Sequence, residues 1–420
     1  MRPVYLDNNA TTRMDPAVLA AMLPYFTDHF GNASSSHSFG SESSAAIKAA
    51  REQVQALVGA AHSHEIVFTS GGTESDNAAI LSALEEQPGR KDLIVSAVEH
   101  PAILAFVMHL QRDHGITVRV IPVDGRGRLD LDAYKAALGY KTAIASIMWA
   151  NNETGTIFPV VELAELAHEA GALFHTDAVQ AAGRIPIEIK ATEIDMLSLS
   201  AHKFNGPKGN GALYVRKGLR FNPLIRGGKQ ERGRRAGTEN APGIVGFGKA
   251  AELARQRLAS GSGQRVRHLR DWFEAEVLRR ISHCYVVGDL DRRLPNTSNI
   301  VFECAEGEVI LSGLNRAGIA ASSGSACASG STAPSHVLRA MKVPYTSALG
   351  AVRFSFSHEN TKDEVSRVLE VLPAIVDKAR QVSGFAAFGN ATEAGLSAAY
   401  PQQAGGNGIS RRRSLHDGRG

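Results

Sequence analysis

Residues 65–74 (EIVFTSGGTE) place a short apolar run, two glycines and a polar helix start within ten residues. Such a sequence is typical of a buried strand that turns directly into a helix. The alternation continues on both sides of this segment, since further apolar runs of strand length are separated by patterns that look helical or by loops. Those runs are residues 93–97, 118–123, 143–148, 172–175, 196–199 and 212–215. The pattern predicts an α/β fold with a mainly parallel sheet covered by helices on both faces.

The C-terminal third shows a different pattern of predicted helices and strands. It follows Ser260-Gly261-Ser262-Gly263, which we interpret as a hinge or linker. Beyond it we expect helices at 266–281, 306–316 and 362–380 and strands at 299–302 and 351–356. The predicted organisation is a large domain of residues 14–260, a smaller α+β domain of residues 1–13 and 261–393, and a disordered basic tail of residues 394–420.

Composition excludes several classes of function. The chain has 420 residues, of which 43% are hydrophobic and 21% are charged, and its net charge is only +4. The last ten residues hold four arginines and one aspartate, so the body is near neutral, which argues against a nucleic-acid-binding face. Three cysteines without a CxxC pair, a polar N-terminus and the lack of a long apolar run predict a cytoplasmic protein with no membrane span.

Three segments carry residues suited to catalysis, and each also has a simpler interpretation. Ser70-Gly71-Gly72-Thr73-Glu74 opens a helix and suits a phosphate, or it is an ordinary capped turn. Asp177 ends an apolar strand, where ligands of open α/β sheets bind, or it is a surface cap. Lys203 follows the next strand, where a lysine is either a Schiff-base nucleophile or a solvated side chain.

Cys327 lies in a segment, residues 322–332, that contains only small side chains. Such a segment cannot anchor itself in a core, so its thiol is either a mobile nucleophile or an incidental residue of a flexible connector. Cys284 and Cys304 stand among apolar neighbours, and we expect both to be buried as small hydrophobic side chains.

Taken together and in order, these segments resemble group I cysteine desulfurases of the NifS and IscS kind. The resemblance spans roughly residues 4 to 380. Its motifs are residues 5–12 (YLDNNATT), 31–37, 69–77 (TSGGTESDN), 99–102 (EHPA), 151–155 (NNETG), 177–180, 200–203 (SAHK), 235–240 (RAGTEN) and the Cys327 segment. Two features, residues 237–243 and 334–341, are more similar to the nitrogen-fixation NifS branch than to the housekeeping branch.

The resemblance implies a fold-type I pyridoxal-phosphate transferase, similar to class V aminotransferases, with a mostly parallel seven-stranded sheet. Lys203 would hold the cofactor and then move the Cα proton, Asp177 would face the pyridine nitrogen, and His100 would stack on the ring. The remaining implied cofactor contacts are Gly72, Thr73, Ser200 and His202 at the phosphate, Thr238 at the phosphate of a neighbouring subunit, Gln180 at the ring oxygen, and Asn152. Arg353, with Asn152, would bind the carboxylate of the substrate, L-cysteine.

Within this resemblance Cys327 is the residue that would attack the sulfur of L-cysteine and then carry it as an enzyme persulfide, with L-alanine as the other product. Through that persulfide it would also contact the metal of a nascent iron–sulfur cluster. The implied partners are a second copy of the chain and a NifU- or IscU-type scaffold, and the implied use of the sulfur is iron–sulfur cluster assembly for nitrogenase.

Two alternatives stay open at this level. The first is another enzyme on the same scaffold, a fold-type I aminotransferase or a selenocysteine lyase, which would keep Lys203 and Asp177 but would not need Cys327 on a flexible loop. The second is a sulfur-carrier protein that uses Cys327 without a cofactor.

Overall fold

In the computed structural model, residues 3–323 and 334–383 are described. Their strands are β1 (Val4–Tyr5), β2 (Ile66–Thr69), β3 (Asp92–Ser96), β4 (Thr117–Ile121), β5 (Thr142–Ser146), β6 (Leu173–Asp177), β7 (Met196–Ser200), β8 (Gly211–Val215), β9 (Cys284–Val287), β10 (Thr297–Phe302), β11 (Ile319–Ala320) and β12 (Ala351–Ser355). Their α-helices are α1 (Pro16–Met22), α2 (Pro24–Thr27), α3 (Ser38–Val58), α4 (Gly72–Glu86), α5 (Pro101–His114), α6 (Leu131–Ala137), α7 (Val160–Glu169), α8 (Ala241–Ala259), α9 (Ser262–Arg280), α10 (Gly307–Arg316), α11 (His336–Ala340), α12 (Tyr345–Leu349) and α13 (Lys362–Val382). Short 3₁₀ turns lie at Ser63–Glu65, Ile189–Ala191, Ala201–Lys203 and Gln230–Gly233.

The main sheet has seven strands in the order β2-β8-β7-β6-β5-β3-β4. Only β8 runs against its two neighbours, and the other pairs are parallel. Strands β2, β3, β5, β7 and β8 are buried along their whole length, as expected when helices cover both faces. The predicted α/β class with a mostly parallel seven-stranded sheet is confirmed.

Two apolar layers enclose this sheet. On one face, Val67, Leu93 and Ile144 pack against α4 and α5. On the other face, Phe68 and Leu199 belong to a larger core that includes α3, α7 and α8. Alternate residues along each strand therefore pack into opposite layers. Since both faces of the sheet are covered, the carboxyl ends of the strands are the part that can meet a ligand.

A second unit is built around the antiparallel sheet β12-β10-β9. Its core joins α9, α10 and α13 to Val4 and Leu6, because β1 pairs in parallel with β11. The first residues of the chain thus pack beside residues 266–379. The exact domain boundaries at residues 13/14 and 260/261 stay predictions, as does the tail of 394–420, which lies outside the described residues.

The interpretation of residues 260–263 as a linker is wrong. Helix α8 ends at Ala259 and α9 begins at Ser262, so only Ser260 and Gly261 separate the two helices. Gly261 adopts a left-handed conformation with φ of 72°, which glycine tolerates without steric cost. Small residues here therefore permit a tight turn rather than a flexible connection.

Candidate active site

Asp177 and Lys203 meet at one edge of the main sheet. Asp177 is the last residue of β6 and pairs in register with Ser198 of the parallel neighbour β7. Strand β7 ends at Ser200, and the 3₁₀ turn Ala201–Lys203 follows at once. Because parallel strands end at a common edge, the sheet brings this carboxylate and this lysine together at the position where ligands of open α/β sheets bind.

Lys203 is held by the N-terminal segment. Its Nζ donates to the carbonyl oxygens of Asn9 at 2.7 Å and Ala10 at 2.9 Å. Next to it, His202 Nδ1 lies 3.0 Å from Thr11 Oγ1. Burial, followed by the positive charge of Lys203, lowers the pKa of His202 to about 4, so this imidazole is neutral at pH 7.

Asp177 is buried, with 7% of its surface exposed, and its Oδ1 accepts a hydrogen bond of 2.9 Å from the Val179 amide. Burial raises the pKa of this carboxyl, while His100 and Lys203 oppose the rise. It forms no ion pair with any residue in the described part of the chain. A positive charge brought against Asp177 would lower its pKa and would itself be strongly stabilised.

His100 completes the cluster from the far side. It caps α5, and its Nδ1 accepts from the Ala102 amide at 3.1 Å. That bond fixes the neutral tautomer with the proton on Nε2. Burial lowers the pKa of His100, while the charge of Asp177 raises it and that of Lys203 lowers it, which agrees with the three predicted residues converging at this edge.

Two more buried carboxyls lie beneath this cluster. Asp76 is 1% exposed and Glu99 is fully buried. Burial raises the pKa of Glu99 to about 8 and raises the pKa of Asp76 well above its usual value. Glu99 is therefore mostly protonated at neutral pH, and burial disfavours the charge on Asp76 as well. Asp177 has Lys203 and His100 to oppose the effect of its burial, so it is the carboxyl best placed to carry charge beside Lys203.

A cleft of roughly 370 Å³ opens beside Ser200 and His202, in the turn that carries Lys203. It is lined by Thr11, Ser70, Gly71, Gly72, Thr73, Glu74, Ser200, His202, Lys208 and Gly209. Gly71 caps α4 without a side-chain hydrogen bond, so the first amides of this 15-residue helix have no side-chain acceptor. The wall is tight, because a Cβ on Gly72 would lie 2.9 Å from Val179 Cγ2. Amides, hydroxyls and a lysine in one cleft suit a phosphate group.

Arg353 lies in β12 with 1% of its surface exposed. Its Nη2 donates to Asp7 Oδ1 at 2.7 Å and its Nη1 to the Asn152 carbonyl at 3.0 Å. Its Nε is buried and has no hydrogen-bond partner among the described residues. The structure thus pairs this guanidinium with Asp7 and leaves further N–H donors, the Nε–H among them, for another acceptor.

Of the remaining predicted site residues, Gln180 and Asn152 contact the N-terminal segment, whereas Thr238 lies away from the cleft. Gln180 Nε2 donates to the Asn9 carbonyl at 2.9 Å, and its Oε1 accepts from Arg184. Asn152 contributes its carbonyl oxygen to the contacts of Asn9 and Arg353. Thr238 is exposed and does not line the cleft, but the nearby Arg235 pairs with Glu74 of the cleft at 3.0 Å.

Cys327 lies outside the described residues, and with it the metal contact predicted for it. The chain on either side is anchored at the site. Ser322 exchanges backbone hydrogen bonds with Arg353 at 2.7 and 3.2 Å, and Ser335 Oγ donates to Glu153 Oε2 at 2.5 Å. His336 Nε2 contacts the carbonyl of Glu99 at 2.9 Å. The described chain therefore stops at residue 323 and resumes at residue 334 beside the Arg353 and His100 groups.

The prediction for Cys304 is wrong, because its side chain is exposed. It occupies a turn with φ of 59°, where neighbouring apolar residues turn inward and Cys304 itself turns outward. Cys284 is half-buried, and burial raises the pKa of its thiol to about 11, so it is unreactive at neutral pH.

Sequence reasoning did not assign roles to Asp7, Asn9, Thr11 and Lys208, although all four contact or line the site. The signal for the first three was the motif at residues 5–12, and for Lys208 it was the turn Gly206-Pro207-Lys208-Gly209 that follows Lys203. Residues 3–323 and 334–383 contain no group of three His, Cys, Asp or Glu side chains placed to hold a metal. Every helix in those ranges is too short or too polar to cross a bilayer.

The model of one family, described as "Aminotransferase class-V", matches residues 4–368. The chain belongs to this family. It is 63% identical to a cysteine desulfurase of Gluconacetobacter diazotrophicus over 95% of this chain and 100% of the relative. It is 57% identical to "Cysteine desulfurase NifS" of Azotobacter vinelandii over 92% of this chain and 95% of that protein.

Solved structures agree with this class-V assignment. A NifS-like protein with 37% identity superposes with a TM-score of 0.84, covering 90% of this chain and all of that one. A second NifS-like protein, from Rickettsia africae, has 31% identity and a TM-score of 0.80, and covers 90% of this chain and all of its own. The resemblance to cysteine desulfurases that the motifs predicted is confirmed.

Proposed function

We propose that this class-V enzyme is a pyridoxal-phosphate-dependent cysteine desulfurase that moves sulfur from L-cysteine to Cys327 and releases L-alanine. The observation that carries the proposal is the convergence of Asp177, His100 and Lys203 at the carboxyl edge of the main sheet, beside a phosphate-sized cleft. The similarity to cysteine desulfurases along nearly the whole chain supports the same reaction.

The residues of the site fit pyridoxal phosphate. Asp177 is a buried carboxylate without an ion-pair partner among the described residues, which suits a protonated ring nitrogen. The uncapped start of α4 and the Ser200 and His202 side chains suit the phosphate, and the absence of a side chain at Gly72 keeps the cleft open. When bound, the cofactor supplies an electron sink for the bonds to the substrate's α-carbon.

Each neighbouring residue then has a role that follows from its surroundings. Lys203 would anchor the cofactor and move the proton at Cα. His100, with its proton on Nε2, would stack on the ring and donate from that nitrogen. Gln180, Thr73 and Asn152 would make the remaining cofactor contacts, and Thr238 would reach the phosphate of a second subunit.

Arg353 would bind the carboxylate of L-cysteine, with Asn152 beside it. Its guanidinium is planar, buried and held in place from one side by Asp7. A planar fork of this kind can present two parallel donors to a carboxylate, which a lysine cannot do.

The sulfur step involves Cys327. Its thiolate would attack the sulfur of bound L-cysteine, so that an S–S bond forms as the C–S bond breaks. The electron pair of the broken bond stays with the carbon fragment, which takes up protons and leaves as L-alanine. Ser322 and Ser335 flank the Cys327 segment and contact Arg353 and Glu153, respectively. The chain on both sides of Cys327 therefore lies at the site, which supports this assignment.

We further propose a cytoplasmic homodimer that passes sulfur to a NifU- or IscU-type scaffold for iron–sulfur clusters, with nitrogenase as the final user. Large apolar side chains exposed near the N-terminus support self-association: Leu23 at 54%, Phe26 at 61% and Phe30 at 69%. The similarity to NifS supports the nitrogenase assignment.

The test measures alanine and sulfide released from L-cysteine in the presence of a reductant. Wild type should release the two in equal amounts, and Lys203→Ala and Cys327→Ala should release neither. Cys304→Ala removes an exposed thiol elsewhere and should behave as wild type. Sulfide from Cys327→Ala would contradict the persulfide step, and alanine-free turnover by a yellow wild type would indicate an aminotransferase.

A further inference from the structure

A second cavity, of about 70 Å³, lies on the other side of the Lys203 turn, between the main sheet and the second unit. Its wall contains Arg184, Lys203, Arg257 and His358, and no aspartate or glutamate. The amides and apolar side chains that complete the wall carry no charge. Arg184, Lys203 and Arg257 thus line a half-open space whose wall holds no negative group.

Arg184 is the cation without compensation. Its guanidinium donates to the carbonyls of Gln180 at 3.1 Å, Asn8 at 3.0 Å and Lys203 at 3.5 Å, and to the side-chain oxygen of Gln180. All four acceptors are neutral, and no carboxylate in the described ranges lies within ion-pair distance of Arg184. Burial, together with the charge of Arg353, lowers the pKa of Arg184 to about 9. Arg184 is half-buried by surface exposure, and a guanidinium charge that lacks a counter-ion in such a site is stabilised by an anion in the adjacent space.

The other walls differ in what they add to this positive charge. Arg257 forms an ion pair with Asp15, which lies outside the cavity wall and offsets its charge, and Arg257 also donates to Asn205 Oδ1 at 3.2 Å. Ser262 and Gly263 form the first turn of α9, a 19-residue helix whose N-cap Gly261 offers no side-chain acceptor. The amides of an uncapped helix start carry partial positive charge. His358 is neutral at pH 7, since burial lowers its pKa to about 4, and it contributes polarity rather than charge.

From these observations we propose that the Arg184 cavity binds one small monovalent anion of the halide or formate class. The cavity volume of about 70 Å³ agrees with this class of anion. A water molecule takes up about 30 Å³, so the cavity has room for about two waters or one such anion. The anion would bridge Arg184 and Arg257 on the side of the main sheet and the start of α9 in the second unit. Binding therefore stabilises the folded chain by linking two units that the N-terminal segment also connects.

The first experiment is a thermal unfolding titration of the holoenzyme with sodium bromide against sodium gluconate at constant ionic strength. The melting temperature of the wild type should rise saturably, by about 2 °C at ten times the dissociation constant. Arg184→Gln should abolish the saturable rise. The matched control Arg112→Gln, at an exposed arginine of α5, should keep it. Equal melting temperatures in bromide and gluconate would overturn the proposal, as would an identical rise in Arg184→Gln.

The second experiment does not depend on the folding of a variant. Wild-type crystals grown in bromide should show an anomalous peak between the guanidinium groups of Arg184 and Arg257. A map without a peak there, at a bromide concentration that saturates the thermal shift, would refute the site.

Discussion

Glu99→Gln tests the electrostatics beneath the active site. Glu99 is fully buried, and its Oε1 accepts hydrogen bonds from Ser96 Oγ at 2.6 Å and the Met148 amide at 2.9 Å. Glutamine keeps the shape and the acceptor, and it cannot ionise. Replacing Glu99 by Gln should therefore leave the fold intact and remove one titrating group from the core.

The sign and size of the effect on the free energy of unfolding follow from the pKa of Glu99. Burial raises the pKa of Glu99 from 4.5 to about 8, so between these values the unfolded chain has lost a proton that the folded chain keeps. The free energy of unfolding of the wild type then falls by about 1.4 kcal/mol per pH unit as the pH rises through this window. Over the whole window the contribution of Glu99 amounts to about 5 kcal/mol, and it is absent in Glu99→Gln.

The assay is urea unfolding of wild type and Glu99→Gln holoenzyme at pH 5.0, 6.0, 7.0 and 8.5. The variant should gain stability relative to wild type steadily with pH. Glu359→Gln, at an exposed glutamate, is the control and should follow the wild type. Parallel profiles for wild type and Glu99→Gln would show that Glu99 is ionised in the folded enzyme, and would refute the assignment of Asp177 as the carboxylate that carries the charge.

Three further changes test the site itself. Asp177→Asn should lower kcat by about 10²-fold or more, because it removes a fixed charge beside the reacting groups; steady-state alanine release measures it, and an unchanged kcat would contradict the role. Arg353→Lys should raise KM for L-cysteine by about tenfold to a hundredfold with a smaller change in kcat, since one charge-assisted hydrogen bond is lost; a pure kcat effect would argue against carboxylate binding. Gly72→Ala should raise the dissociation constant of pyridoxal phosphate about tenfold in an absorbance titration, because the new Cβ meets Val179 Cγ2 at 2.9 Å, and adding Val179→Ala should restore most of the affinity.

The fold was predictable from local patterns because its strands are short, apolar and separated by helices. Each of the strand-length runs named from the sequence corresponds to a strand, with ends that differ by one or two residues. The direction of β8 was not predictable, since an antiparallel strand buried on both faces has the same apolar composition as a parallel one. The linker predicted at residues 260–263 was wrong for a related reason, because linkers and tight turns between helices share the same Ser-Gly composition.

The site residues fall into two groups. Asp177, Ser200 and Lys203 were predictable because they stand where strands end, and the sheet then brings them together. His100 and Arg353 emerged only from the motif resemblance, since nothing in their local sequence marks them as part of the same site. The pairing of Arg353 with Asp7 was not predicted, because these residues lie 346 positions apart and meet only through the second unit.

The contacts of the N-terminal segment could not be predicted from local sequence patterns. The carbonyl of Asn9 accepts from both Lys203 and Gln180, and the contact with Lys203 joins positions 194 residues apart. A backbone carbonyl exists at every residue, so no side-chain pattern could have identified this one. The same segment buries Val4 and Leu6 in the core of the second unit. The lysine at the edge of the main sheet is thus positioned by chain that is packed elsewhere, and any shift of the second unit would move the two carbonyls that hold its Nζ.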